Sequence, residues 1–377
     1  MTSLDWTASG IENTFRFEAV DCRQLENHIC DLEGVTGGKL TQSYRGDYRA
    51  SGTLDLDGTE VPDHCAVRIW HTARLGAASV TECLATLIPQ PPSRTLERGR
   101  VTGSVELYSA MKSLDGDLLT ANSTIAKGTA AWSKFKSIVN NSGQVAVVDS
   151  GIQSTNKTLG SAWTWEHGKS ALSAAQKMAD VCGGYIEVDA QGHVCLVPYE
   201  NPASRATGGT ISTGIDSLVL LGVSMSQNDI CNKVVASFDK GSGDSKKTYT
   251  AAAELDPVHP WSFANIGRWC AQECDAPSTL DDKSSESYIK AQLAAAVKKE
   301  LNSASATTRT FGVKMLYTPE VDVGNAMRLR YQDSDGGEII DANVFISQRE
   351  ITLDGSMQME LTCEERWANA ADTLAEE

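Results

Sequence analysis

Apolar and polar positions alternate with a period of two through four runs towards the C-terminal end, at 310–317, 326–331, 339–350 and 356–362. That period marks half-buried strands, whose side chains point to opposite faces in turn. Asp335-Gly336-Gly337 and Asp354-Gly355 lie between runs and supply the positive-φ positions of tight reversals. A fainter copy of the pattern lies upstream. Ala66-Val-Arg-Ile69 matches Ala326-Met-Arg-Leu329, Ala85-Thr-Leu-Ile88 matches Ala342-Asn-Val-Phe345, and Val105-Glu-Leu107 matches Met359-Glu-Leu361. The order is kept, which predicts two related all-β units separated by other material.

From 14 to 110 the chain reads mainly as strand, with alternation over 15–20 and a strand running into a turn over 51–58. A helix is predicted at 23–32. Three prolines in Ile88-Pro-Gln-Pro-Pro-Ser93 predict an extended link outside any ladder. The period then becomes helical. Trp132, Phe135, Ile138 and Val139 share a face near 130–139, and Leu172, Ala175, Ala179 and Cys182 share one over 168–182, ended by Gly183-Gly184. A hairpin follows at 185–197. Strands return over 215–239, then a polar loop at 240–247. Helices are predicted near 261–274 and 285–302. The second has Asp281 and Asp282 ahead of it and an apolar stripe of Ile289, Leu293, Ala296, Val297 and Leu301. The fold expected is mainly β with α+β insertions. The first β unit is 1–108 and the second is 206–240 with 306–365. A small α/β domain combines 109–205 with 241–305, and 366–377 is an acidic tail.

Composition narrows the function. The hydrophobic fraction, 41%, is that of an ordinary soluble domain, and no apolar run reaches the length of a membrane span. The N-terminus lacks the layout of a secretory signal, so synthesis and retention in the cytoplasm are expected unless the protein leaves within an assembly. Net charge is −16, with 33 Lys+Arg against 49 Asp+Glu, which repels phosphate and argues against sequence-specific DNA binding. The same sign suits the wall of a channel through which DNA slides.

Candidate chemistry is thin. Gly-x-Ser-x-Gly, P-loop and dinucleotide fingerprints are all absent. None of the ten cysteines forms a Cys-x-x-Cys pair, and free, buried thiols are expected. Glu166-His167 lacks the second histidine of a zincin helix, and His64 and Cys65 are adjacent and would face opposite sides of a strand. On the predicted helix Cys270 and Cys274 share a face, with His259 upstream, but core packing is favoured over a metal. Asp55-Leu-Asp-Gly58-Thr-Glu60 and Asp333-Ser-Asp-Gly336-Gly-Glu338 read as hairpin turns rather than calcium loops. Trp163 and Trp165 alternate and would present one aromatic face, although packing on the following helix is favoured. No catalytic, cofactor-binding or metal-binding residue is assigned.

The stretch from Trp163 to Val194, leading to Val197-Pro-Tyr-Glu-Asn-Pro202, resembles the tail-tip or baseplate hub proteins of long-tailed bacteriophages. Asn228-Asp-Ile-Cys-Asn-Lys-Val-Val235 and Tyr317-Thr-Pro-Glu-Val-Asp-Val-Gly324 are similar to later segments of such hubs. The resemblance implies two β-barrel-like domains with α/β material inserted, in a homotrimer whose six barrels form a pseudo-sixfold ring. It implies a tail-tip location in the virion after assembly in the host cytoplasm. The implied partners are the distal tail or tail-tube protein, the tape-measure protein and tip or fibre proteins, and the acidic lumen would pass DNA. No peptidase, lysozyme or fibre region is appended, so catalysis is expected to lie elsewhere. A glycan-binding adhesin and a tail-associated cell-wall hydrolase are the alternatives.

Overall fold

Eight strands come first: β1 (Glu12–Asp21), β2 (His28–Asp31), β3 (Val35–Ser43), β4 (Ala50–Asp57), β5 (Cys65–Leu75), β6 (Ala78–Pro89), β7 (Ser93–Glu97) and β8 (Arg100–Tyr108). An α/β segment follows, with α1 (Ala110–Gly116), β9 (Ser123–Ile125), α2 (Ala131–Asn141), β10 (Ala146–Val148), α3 (Ser150–Thr155), β11 (Trp163–Trp165), α4 (Ala171–Cys182), β12 (Gly184–Val188) and β13 (Val194–Pro198). Next come β14 (Thr207–Ser212), β15 (Leu220–Gln227), β16 (Lys233–Lys240), β17 (Lys247–Glu254), α5 (Phe263–Ile266), β18 (Ala271–Glu273) and α6 (Glu286–Ala304). The last strands are β19 (Thr307–Leu316), β20 (Ala326–Gln332), β21 (Glu338–Thr352) and β22 (Gln358–Arg366). This computed structural model describes residues 4–366 apart from 7, 9, 45, 98–99, 201–204, 213–219, 228–230, 242–245, 260, 278–279, 281–283, 306 and 333–336. The turn expected at Asp335-Gly336, the middle of the polar loop (242–245), the Asp281-Asp282 pair and the tail beyond 366 lie outside the described residues.

Fourteen strands form one sheet, ordered β15-β19-β22-β21-β3-β4-β8-β6-β5-β1-β2, with β14 on β20, β20 on β21 and β7 on β8 as branches. A six-strand pattern occurs in it twice. The series β1-β5-β6-β8-β4-β3 corresponds to β14-β20-β21-β22-β19-β15, and the correspondence preserves order along the chain as well as across the sheet. Registers agree too: Ile69 faces Ala85 across β5 and β6, as Leu329 faces Ala342 across β20 and β21. The three sequence matches thus fall on corresponding strands, and the fold is mainly β with two related units, as expected. One pairing departs, since β1 runs antiparallel to β5 whereas β14 runs parallel to β20.

Both units feed one hydrophobic core, in which Leu40, Leu54, Ile69 and Leu107 join Phe311, Met315, Leu329 and Met359. The α/β segment buries its own cluster, built on Phe135, Ile138, Met178, Ile186 and Leu196. It also contains a shorter repeat that the sequence reading missed. The series β9, a turn with Gly128 at φ +83°, and α2 recurs as β11, a turn with Gly168 at φ +78°, and α4. β9 and β11 pair antiparallel with Thr124 opposite Thr164, so a pseudo-twofold axis passes between equivalent residues. A third cluster packs α6 on the sheet β17-β16-β18 through Val234, Tyr249, Ile289, Leu293 and Val297.

Five expectations about elements and their grouping need correction. No helix covers 23–32: the Asp21 carboxylate accepts from the Arg23 and Gln24 N–H groups, at 2.8 and 3.3 Å, and turns the chain into β2. The helix at 261–274 is confined to the four residues of α5, because Gly267 takes φ +69° and the chain then extends into β18, parallel to β16. The proline link is partly laddered, since β6 runs on to Pro89, which faces Leu107 at the sheet margin. Strand 233–240 leaves the second β unit to pair with β17 and β18, and the two α-containing pieces keep separate cores instead of sharing one.

Within β1, Glu18 is buried and accepts from Trp70 Nε1 at 2.7 Å, with His28 Nδ1 2.8 Å away. Burial pushes its carboxyl up, but these bonds and the charges of Arg16 and Arg68 outweigh it and hold the value below the ordinary 4.5. A group depressed by folding stabilises the fold above its unfolded value and loses that contribution as pH falls. Glu18→Gln is therefore expected to flatten the acid limb of a stability profile below about pH 4.5, where the wild type loses this contribution. Urea titrations at stepped pH read the difference, and parallel profiles would refute it.

Candidate assembly surface

The two β units meet where β3 and β21 pair antiparallel, with Gln348 opposite Ser43, Arg349 opposite Gln42 and Thr352 opposite Lys39. β21 pairs with β20 through Phe345, and β3 takes up the edge beyond that point. Arg349 locks this seam. Its side chain is 5% exposed and donates Nε and Nη2 to Gln42 Oε1, at 3.0 and 2.6 Å, and Nη1 to Val321 O at 2.9 Å. Lys39 Nζ donates to Glu350 Oε1 at 2.7 Å on the outer face.

A second tie is polar and partly buried. Glu82 Oε1 accepts from Tyr317 Oη at 2.9 Å and lies 3.0 Å from Nδ1 of the fully buried His71. Burial raises the Tyr317 phenol well above its ordinary value, so it stays a donor. The α/β segment docks beside this seam through Arg49 Nε to Ile186 O (2.9 Å), Thr86 Oγ1 to Ala190 O (2.8 Å) and the Tyr44–Tyr185 ring pair (5.4 Å). All three bodies line a cavity of ≈ 320 Å³ that includes Arg49, Glu82, Tyr185 and Arg349.

Among the described residues β15 and β7 each pair on one side alone, β15 with β19 and β7 with β8. A sheet edge offers unmatched N–H and C=O groups to another chain. On β15 the residues Leu221 and Met225 are 50% and 56% exposed.

The residues weighed for chemistry are scattered. Cys270 precedes β18 and Cys274 follows it, and an extended backbone sets residues four apart at about 13 Å, too far to share one ion. Among the described residues no three His, Cys, Asp or Glu side chains are grouped to hold a metal. Asp55 and Asp57 end β4, and Gly58 turns the chain at φ +70°, yet no hairpin results because β4 pairs with β3 and β8. Trp163 and Trp165 are half-buried against the α/β core with Thr164 exposed between them. No helix among the described residues is long and apolar enough to cross a membrane.

All ten cysteines are free. Burial pushes Cys65 up to about 11 and Cys195 and Cys363 up to about 12, with nearby thiols or carboxylates adding to it. These three thiols are expected to resist a maleimide at pH 8 until the protein unfolds. Peptide mass mapping before and after denaturation tests this, and labelling of Cys363 in the native protein would contradict it.

No protein-family model and no curated protein matches the sequence. Solved structures do match the fold. A tail protein from Neisseria meningitidis MC58 superposes with TM-score 0.60 at 14% identity, over 93% of this chain and 97% of that one. The 43 kDa tail protein of prophage MuSo2 from Shewanella oneidensis gives 0.62 at 13%, over 94% and 98%. The chain has the fold of bacteriophage tail proteins. Prophage tail protein gp18 from Listeria monocytogenes EGD-e shares that tail-protein fold with TM-score 0.50 at 12% identity, over 96% and 97%. The likeness spans nearly the whole of each molecule, so the tail-protein fold includes the α/β segment and the α6 unit as well as the duplicated sheet.

Proposed function

We propose that this chain is a structural virion protein, a trimeric tail-tip or baseplate hub that matches a sixfold tail tube to a threefold tip. One observation carries the reading: a six-strand topology is present twice in one polypeptide, and its copies are joined edge to edge by unlike strands, β3 and β21. A contact between unlike surfaces, repeated, generates a closed ring or an open filament. Three such chains present six near-equivalent β units, each barrel-like, around a common axis. The charge of −16 suits a lumen that releases DNA without binding it. The tail-protein fold favours a virion tail location and partners among tube, tape-measure and tip proteins over an adhesin or a hydrolase, and assembly takes place in the host cytoplasm.

The test is mass. Analytical ultracentrifugation of the purified protein, alone and with the tail-tube protein of the same particle, is expected to show a trimer in at least the second sample. A monomer in both sinks the reading.

A further inference from the structure

The duplication makes a prediction about which edges meet. Within the chain, β3 of the first unit pairs with the second half of β21 of the second. Mapping one unit onto the other turns β3 into β15, and turns that half of β21 into the end of β6 with β7. Both counterparts carry an unpaired edge among the described residues. The same mapping places individual residues. Gln42 faces Ala50 on β4 as Met225 faces Phe311 on β19, and Arg349 faces Leu361 on β22 as Pro89 faces Leu107 on β8. Met225 and Pro89 are thus the counterparts of Gln42 and Arg349, the pair that locks the internal seam. Likewise Gly222 is the counterpart of Lys39, and continuing the β21–β22 register one residue past the Ile351–Met359 pair makes Ser93 the counterpart of Thr352.

We infer that β15 of one copy docks on the segment 88–97 of the next copy, with Met225 against Pro89 and Gly222 opposite Ser93. This rests on the hub reading and specifies its intermolecular seam. The occupant is a second copy of this chain because the complementary edge is found on the chain itself, at the position the internal seam dictates. Chemistry agrees with geometry. Where the internal seam is polar, its counterpart brings together an exposed methionine and a proline, an apolar pair. The exposed thioether is covered by the ring of the next copy.

The prolines also set the strength of the joint. The Gln90 N–H donates inward to Glu106 O at 2.8 Å, so the nitrogens of Pro89 and Pro91 are the ones turned outward, and neither carries a proton. The outer edge therefore offers carbonyls with few donors, which blunts it against indiscriminate strand addition. The intermolecular seam holds fewer ladder bonds than the internal one and depends on side-chain fit. One extra residue between Pro89 and Ser93 is taken up as a bulge.

A benzophenone amino acid placed at Met225 of the full chain tests the assignment, with adducts mapped by mass spectrometry. The expected product is a covalent dimer whose link falls within 88–97 of the second copy. Links to the second copy's own 220–227, or a trimer with no link in 88–97, would overturn this seam and leave the ring reading standing. A monomer under all conditions would overturn both. Met225→Glu supplies an independent reading. It is expected to weaken self-association roughly tenfold or more, with the circular dichroism spectrum unchanged because the side chain is exposed. Unaltered association of that variant counts against the proposal.

Discussion

Arg349→Met lowers the stability of the folded chain by roughly 3 kcal/mol, the cost of stripping charged hydrogen bonds from one buried acceptor and one half-buried one. Methionine keeps the stem volume of arginine but leaves Gln42 Oε1 and Val321 O without the donors they have in the wild type. The ion pair with Asp322 contributes less, about 1 kcal/mol at most, because that carboxylate is 54% exposed. Urea unfolding followed by tryptophan fluorescence measures the loss. A change within about 0.5 kcal/mol would show that the Arg349 bonds do not hold the seam and that the β3–β21 ladder and the shared core suffice. A double variant with Gln42→Leu removes the Gln42 acceptor as well and is expected to recover the part of the loss due to that pair, while Val321 O stays without its donor.

Phe135→Ala removes the largest fully buried side chain of the α/β core and is expected to cost about 3–5 kcal/mol. Because that core is separate from the one shared by the sheets, the damage should stay local. Hydrogen exchange is expected to quicken over 110–198 while β19, β21 and β22 keep their protection. Equal loss of protection in both regions would mean that these two hydrophobic clusters unfold as one unit, contrary to their separation in the structure.

The strand-rich ends were legible because their side chains obey period two over long runs, and the short matches at 66–69 and 326–329 fell on corresponding strands. What escaped is equally physical. The helix expected at 261–274 stops after four residues, because Gly267 takes a left-handed backbone and the chain then extends. The shorter repeat inside the α/β segment preserves turn geometry more than residue identity: Gly128 and Gly168 recur, whereas Phe135 on α2 is matched by the smaller Ala175 on α4. The seam was invisible for another reason. Arg349 and Gln42 are separated by most of the chain, and nothing local to either residue announces the other. Free edges leave no local mark in composition either, since the strand that would cover them belongs to a different part of the chain or to another molecule.

The length of β21 has a mechanical consequence. Its 15 residues, roughly 50 Å of extended backbone, are gripped by β20 over one half and by β3 over the other, with β22 along the opposite side. A pull along the strand direction loads the β3 bonds side by side, in shear, so they yield together and not one after another. Strain reaching one unit is thereby handed on to its neighbour as rigid-body movement, without first fraying the strands between them.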